Sequence, residues 1–216
     1  MLACGRAPWV TRRYGGRDVV WWMVRSGFFD QPLESIPDPA ARLWANPLAT
    51  GHGGGHDLHL RTLRAAGVTL AGRLAAISDH TARFADDLAA SVAWGDEKYA
   101  MLADLIRATA VREGLEVPEI AEPGPFDASG PDSIDLRDVG VVIFAGGFRP
   151  DYRSWLPWDA AFDDAGFPLH VDGASTVVPG LHFVGVHFLR TRKSSLLLGV
   201  GEDAAIVADG IARAFG

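Results

Sequence analysis

The stretch Val141-Val142-Ile143-Phe144-Ala145-Gly146-Gly147-Phe148-Arg149-Pro150 decides the predicted fold, because a short apolar run in it ends in two glycines. A second apolar run, Leu181–Val186, follows the turn Val178-Pro179-Gly180. The glycine-containing segment Lys193–Gly201 then leads into a predicted helix from about Glu202 to Phe215. Short apolar runs bounded by Gly and Pro are typical of buried strands in a parallel sheet. The end of the chain therefore predicts two buried strands and a closing helix of an α/β domain.

The glycine pattern nearest to a dinucleotide-binding fingerprint is Gly199-Val200-Gly201-Glu202-Asp203-Ala204, which fits Gly-x-Gly-x-x-Ala. A true fingerprint opens the first helix of a βαβ unit, and an acidic residue follows about 20 positions later. The sequence ends at Gly216, so that second strand and its acid do not follow. We expect a strand-to-helix glycine turn at the finish of a domain.

The composition of the chain excludes several classes of protein and partner. The chain has 216 residues, is 48% hydrophobic and 22% charged, and has a formal net charge of -7. The acidic balance disfavours general nucleic-acid binding, and no apolar run approaches the roughly 20 residues of a membrane helix. A single cysteine, Cys4, excludes an internal disulfide framework. These features predict a soluble cytoplasmic protein with no nucleic-acid or membrane partner.

The first 25 residues are basic although the chain is acidic. They contain five arginines and one acidic residue, Asp18: the arginines are Arg6, Arg12, Arg13, Arg17 and Arg25. Guanidinium groups bind phosphate in a bidentate manner, so the cluster is a candidate anion site. A solvated surface arm is the alternative interpretation.

Two helices are predicted in the first half of the chain. Arg17–Ser26 has Asp18 as its cap, and a long helix has Asp86-Asp87 at its start and Gly114 at its end. We expect Gly95 to weaken the long helix midway.

A strand pair is predicted between these two helices. Val68–Ile77 has β-forming residues and a kink at Gly72, and Thr81–Phe84 is its expected partner. The Pro- and Gly-rich composition of Pro118–Pro131 predicts an extended linker.

The segment Gly51–His59 carries His52, His56, Asp57 and His59 within eight positions. Three imidazoles and a carboxylate can bind zinc or another transition metal. The three glycines at 53–55 leave such ligands without a rigid support, so a glycine turn with polar residues at its rim is the main interpretation. No metal ligand is assigned.

Several stretches resemble the flavin-containing monooxygenase-like proteins, in particular their bacterial branch described as flavoproteins of potassium transport. The resemblance covers essentially the whole chain and corresponds to the C-terminal half of such a protein. Cys4-Gly5-Arg6-Ala7-Pro8 reads as the exit of a strand, which agrees with a C-terminal portion. The most specific matches are Phe144–Tyr152, Pro179–Gly185 and Arg192–Ala205.

The resemblance implies a partial two-dinucleotide-binding-domain fold of the FAD/NAD(P)-binding, Rossmann-like type that lacks the N-terminal FAD half. Residues 1–117 would be the C-terminal part of an NADPH-binding domain, 118–133 a linker, and 134–216 the C-terminal part of the FAD-binding domain. Neither glycine fingerprint of the family occurs in this sequence, and both would lie upstream of Met1.

The resemblance also implies an FAD- and NADPH-dependent, monooxygenase-like oxidoreductase. Its reaction would be hydride transfer from NADPH to flavin, followed by oxygen activation for a small-molecule substrate. Partners would be a missing N-terminal half or a second copy of the chain. Two alternatives stay open: a cofactor-free remnant or interaction module, and a metal-binding module at His52, His56 and His59.

Cofactor-binding residues follow from the resemblance, whereas no catalytic residue is assigned. The 2′-phosphate of NADPH would be bound by Arg6, Arg12 and Arg13, and the passage between the cofactors would be lined by Gly146 and Gly147. Gly185 would let the backbone pass the ribityl and pyrophosphate region. The pyrimidine edge of the flavin would face the closing turn with Gly199, Gly201, Glu202 and Asp203.

Overall fold

The computed structural model describes residues 1–36, 42–43 and 47–215, and it has the predicted α/β class. The chain divides into two compact units: residues 1–26 with 45–145, and residues 27–44 with 146–216. The predicted linker at 118–133 therefore lies within the first unit. The assignment of the two parts of the chain to NADPH and FAD stays a prediction.

A short parallel pair of strands starts the first unit. β1 (Leu2–Ala3) pairs with β4 (Leu70–Ala71), and the expected strand exit at Cys4 follows β1 directly. Cys4 and Leu70 are buried together with Leu88 and Val92 of the long helix. Apolar burial of this kind is the main stabilising contribution to a small core.

The basic N-terminal segment folds into a hairpin followed by a helix. β2 (Arg13–Tyr14) pairs with β3 (Arg17–Asp18) through Gly15 and Gly16, which both have positive φ, as tight hairpin turns require. α1 (Val19–Arg25) follows, and the Asp18 carboxylate accepts a hydrogen bond from the Val20 N–H. The predicted helix and its cap are confirmed.

The predicted strand pair is confirmed and gains a third strand. β5 (Leu74–Ser78) pairs antiparallel with β6 (Thr81–Phe84), which pairs with β7 (Ser133–Asp135). The predicted kink lies at Gly72, between β4 and β5. A Cβ atom at Gly72 would overlap the carbonyl oxygen of Ala85, so the close approach of two chain segments explains the glycine.

Two helices complete the first unit, α2 (Leu60–Ala65) and α3 (Leu88–Arg112). Gly114, with positive φ, ends α3 as predicted. Asp87 takes the cap position, but its carboxylate binds the backbone N–H and guanidinium of Arg73 instead of capping the helix. α3 is continuous through Gly95, where the glycine gives room to the carbonyl oxygen of Ala7, and the expected weakening of the helix there stays a prediction.

The two predicted buried strands of the second half are wrong. Residues 141–150 form no strand, and Phe144 is 80% exposed. In Leu181–Val186 only His182 forms a β-bridge, although Phe183 and Val186 are buried. A parallel strand needs neighbours that cover both of its faces, and the described residues provide none for residues 141–144.

The second unit is built from turns, one hairpin and one helix. β8 (His170–Val171) and β9 (Ala174–Ser175) join through Asp172 and Gly173, which both have positive φ. α4 (Val200–Phe215) confirms the predicted closing helix and begins two residues earlier than predicted. The buried hydrophobic core of this unit consists of Ala161, Phe162, Phe167, Phe183, Val186 and Leu189. Within the described part of the chain, no helix has the length and apolar character needed to cross a membrane.

Candidate functional site

The turn before α4 is held by a buried serine. Ser194 is fully buried, and its Oγ accepts hydrogen bonds from the backbone N–H groups of Arg190 at 3.1 Å and Thr191 at 3.0 Å. A buried hydroxyl that satisfies two backbone donors fixes the path of the chain. The turn therefore presents the glycines of the closing segment in one conformation.

The two glycines of the closing segment have different surroundings. A Cβ atom on Gly199 would overlap the side chain of Lys193 and lie 2.5 Å from its carbonyl oxygen. On Gly201, which is exposed, a Cβ atom would have no neighbour within 4 Å. Gly199 is thus required by packing, whereas Gly201 leaves the start of α4 open to a ligand.

Asp203 is the buried acidic residue of this segment. It is 2% exposed, and its Oδ1 lies 2.9 Å from a guanidinium nitrogen of Arg190. Its Oδ2 is buried and accepts no hydrogen bond from the described residues. Since an unsatisfied buried carboxylate oxygen is costly, this atom suits an O–H or N–H donor of a ligand or of water.

A lysine and an arginine join the closing segment to the tract around residue 30. The Lys193 ammonium lies 2.8 Å from Asp30 and 2.7 Å from Glu202, and hydrogen bonds to these carboxylates raise its pKa. The Arg192 guanidinium donates to the side chain of Gln31 at 2.9 Å, and its backbone N–H donates to the carbonyl of Gln31. Glu202 is therefore paired with Lys193, so its carboxylate stabilises the turn itself.

The remaining glycines of the predicted FAD site lie in two places. Gly185 has positive φ, and a Cβ atom on it would lie 3.7 Å from Val200, the first residue of α4. The structure thus brings Gly185 beside the closing segment. Gly146 and Gly147 lie on an exposed stretch, where an added Cβ atom would have no neighbour within 4 Å. The structure does not place these two against the closing turn.

In the first unit, two of the three predicted phosphate-binding arginines meet a glycine turn. The Arg13 guanidinium donates to the carbonyl oxygens of Gly54 at 2.8 Å and Gly55 at 3.2 Å. Arg12 lies 2.6 Å from Asp18 through its guanidinium, and its buried Nε has no hydrogen-bond partner in the described part of the chain. Arg6 is exposed and makes no hydrogen bond or ion pair with residues 1–36, 42–43 or 47–215.

Among the histidines of Gly51–His59, His59 has a structural role, whereas His52 and His56 are exposed. His59 caps α2, where its Nδ1 accepts from the Thr62 N–H at 3.3 Å, and its ring centroid lies 4.5 Å from that of Trp9. Burial lowers the pKa of His59. Across residues 1–36, 42–43 and 47–215 no three His, Cys, Asp or Glu side chains group in a way that could hold a metal ion. The metal-binding module therefore has no support from the structure.

Two side-chain pairs were not predicted from the sequence. The first is Arg190 with Asp203, and the second is His187 with Ser195, whose Nδ1 and Oγ lie 3.2 Å apart. Both pairs join a loop residue to a partner 13 or 8 positions away. No helical or strand period relates such positions. The one signal that could have indicated the pair of Arg190 and Asp203 is that two opposite charges lie among apolar residues.

Comparison with known proteins identifies partial relatives. The chain is 41% identical over 73 residues to the uncharacterized oxidoreductase CzcO-like protein of Geobacillus kaustophilus, covering 34% of this chain and 20% of that protein. It is 37% identical over 76 residues to the uncharacterized oxidoreductase CzcO of Bacillus velezensis, covering 35% and 21%. It is also 37% identical over 70 residues to the CzcO protein of Bacillus subtilis, covering 32% and 20%.

The similarity covers only part of this chain and of each relative. Each match spans about a third of this chain and about a fifth of the relative. No family model matches the chain, and no solved structure matches it. The similarity supports an oxidoreductase as the kind of protein to which the chain is related.

Proposed function

We propose that this chain is the C-terminal portion of an FAD- and NADPH-dependent oxidoreductase with monooxygenase-like chemistry, acting on a small molecule. The proposal depends mainly on the start of α4. There Gly199, which has no room for a Cβ atom, precedes Gly201, which has open space beside it, and the buried Asp203. Oxidoreductases among the partial relatives support the general class.

The residues at this turn fit a flavin. The unpartnered Oδ2 of Asp203 would accept a hydrogen bond from the cofactor, and open space at Gly201 would admit it closely. The N-terminus of α4, a helix of 16 residues, carries a partial positive charge that stabilises an anion. When bound, FAD supplies hydride acceptance from NADPH and, once reduced, the activation of oxygen.

The arginines of the first unit would bind the 2′-phosphate of NADPH. Arg12 offers an unpartnered Nε, whereas Arg13 already donates to two backbone carbonyls of the glycine turn. We therefore expect Arg12 to contribute to phosphate binding through a new hydrogen bond. Arg13 would exchange its carbonyl partners for phosphate oxygens, which form stronger charge-assisted bonds.

The test is the visible spectrum of the purified chain, recorded before and after FAD is added and free FAD is removed by gel filtration. We expect flavin absorption to stay with the protein. Asp203→Asn should retain less flavin than wild type, whereas Asp209→Asn, an exposed acid on the same helix, should retain as much. A wild-type chain that leaves the column colourless would contradict cofactor binding by this chain.

A cofactor-free interaction module is the second candidate, and one observation favours it. Val141, Ile143 and Phe144 form an exposed apolar stretch, and contiguous exposed apolar residues often mark interaction sites. Sedimentation at increasing concentration tests it. Ile143→Asp should abolish self-association, whereas Val111→Asp, at an exposed position of α3, should not. A colourless, monomeric wild type would contradict self-association.

A further inference from the structure

A serine and a histidine outside the proposed cofactor residues form a hydrogen-bonded pair. The Oγ of Ser195 lies 3.2 Å from the Nδ1 of His187. Ser195 is exposed on the turn before α4, and His187 lies in the loop that follows Gly185. A hydroxyl within hydrogen-bond reach of an imidazole is the arrangement that activates a serine nucleophile.

The imidazole packs against an aromatic ring. The ring of Phe188 stands edge-on to it, with the two ring centroids 4.8 Å apart. Burial lowers the pKa of His187, and the positive charges of Arg192 and Arg42 lower it further. The imidazole is therefore neutral near pH 7, which a general base must be in order to accept a proton.

The surface beside Ser195 offers donors and an apolar patch. The backbone N–H groups of Ser195 and Leu197 make no hydrogen bond with any described residue. Leu197 is 99% exposed, and Leu198 is half exposed. Free N–H groups next to a nucleophile can stabilise an oxyanion, and exposed leucines can contact an apolar acyl chain.

We propose that Ser195 and His187 are a nucleophile–base pair that hydrolyses esters of short, apolar carboxylic acids. The Ser195 oxygen attacks the ester carbonyl while His187 accepts the hydroxyl proton. The alcohol leaves with that proton, and an acyl group stays on Ser195. A water molecule, deprotonated by His187, then attacks the acyl group, so that the carboxylic acid is released and the serine hydroxyl is restored.

This activity is separate from the proposed flavin chemistry. It needs no electron transfer and no cofactor, and neither Ser195 nor His187 is among the residues assigned to FAD or NADPH. The two proposals can therefore fail independently, since loss of flavin binding would leave ester hydrolysis unchanged.

The test combines a labelling reagent with an ester substrate. An alkyl fluorophosphonate reacts with activated serines, whose oxygen displaces fluoride, and the site is located by peptide mass spectrometry. Hydrolysis of p-nitrophenyl butyrate is followed by absorbance. The variants are Ser195→Ala and His187→Gln; the controls are Ser154→Ala and His182→Gln, which change residues of the same unit whose partners are backbone carbonyls.

We expect the label on Ser195 in wild type and in both controls. His187→Gln should lower labelling and ester hydrolysis by about 100-fold, in the range of general-base contributions. Ser195→Ala should abolish labelling. The wild-type rate should rise with pH with a midpoint below about 6.5, the ordinary pKa of histidine, because burial lowers the His187 pKa.

Three results would overturn the proposal. They are no label on wild type, a label on another serine, and equal hydrolysis by wild type and His187→Gln. Far-UV circular dichroism of each variant separates loss of activity from loss of fold. If Ser195→Ala is misfolded, Ser195→Cys gives the second measurement, since a folded cysteine variant with unchanged fluorophosphonate labelling would equally contradict the assignment.

Discussion

The guanidinium of Arg190 lies 2.9 Å from the carboxylate of Asp203, which is the fourth residue of α4 and almost fully buried. The same guanidinium lies 3.5 Å from Asp172, at the tip of the hairpin between β8 and β9. One arginine thus connects the hairpin, the closing turn and α4. Because Asp203 is buried, the ion pair matters more than an exposed one would.

Arg190→Met should therefore destabilise the second unit. The substitution leaves the Asp203 carboxylate buried without a cation, and breaking buried pairs costs roughly 3–5 kcal/mol. We expect about 2 kcal/mol, since the Arg190 side chain is partly exposed. Urea unfolding measures the change, with Arg213→Met, at an exposed position of α4, as the control. Equal stabilities of the two variants would contradict the role of the pair.

The two glycines of the closing segment should respond in opposite directions to alanine. Gly199→Ala forces a methyl group onto Lys193 and should cost about 1–3 kcal/mol through overpacking. Gly201→Ala places a methyl group in open space within α4 and should stabilise the helix by up to about 1 kcal/mol. Thermal unfolding measures the stability of both variants against wild type. A Gly199→Ala variant as stable as wild type would mean that Lys193 can move aside.

Asp96 on α3 should contribute strongly to the first unit. It accepts a bidentate pair of hydrogen bonds from Arg61, each at 2.8 Å, and one from the indole N–H of Trp9 at 3.0 Å. Asp96→Ala removes all three and should cost about 2 kcal/mol. Asp104→Ala, which breaks an exposed pair with Arg107 on the same helix, should cost less than about 0.5 kcal/mol. Denaturant unfolding followed by tryptophan fluorescence compares them.

Stability should fall as the pH is lowered from 7 to 5. Burial lowers the pKa values of three histidines, His59, His170 and His187, below the ordinary value of about 6.5. In this window the unfolded chain therefore binds more protons than the folded chain, which favours unfolding. The lowered pKa of Asp87 acts only at more acidic pH. Urea midpoints across the window test the sign, and a midpoint that rises towards pH 5 would contradict it.

Local signals in the sequence predicted local structure well. The cap of α1 at Asp18, the end of α3 at Gly114 and the pairing of β5 with β6 depend on residues a few positions apart. In each case a turn residue or a hydrophobic period acts within one element. The closing helix was also predicted, because it follows a glycine-containing segment directly, and its first turn contains Glu202 and Asp203.

The strand predicted at residues 141–144 shows where this reasoning fails. Four consecutive apolar residues favour a buried strand, yet burial and hydrogen bonds must come from neighbouring strands. The described chain gives them no such neighbours, so Val141 and Phe144 stay exposed. Gly95 gives a second example, because the glycine leaves room for the carbonyl oxygen of Ala7, a contact between residues far apart in the sequence.

The sequence by itself determined the α/β class, most helix ends and the glycine turn at which α4 begins, since these follow from interactions between near neighbours in the chain. Tertiary structure alone decided which side chains meet. It paired Asp203 with Arg190, set Ser195 beside His187, and laid Arg13 rather than Arg6 on the glycine turn. Such pairs join loop residues through the folded path of the backbone, and no periodicity in the sequence records that path.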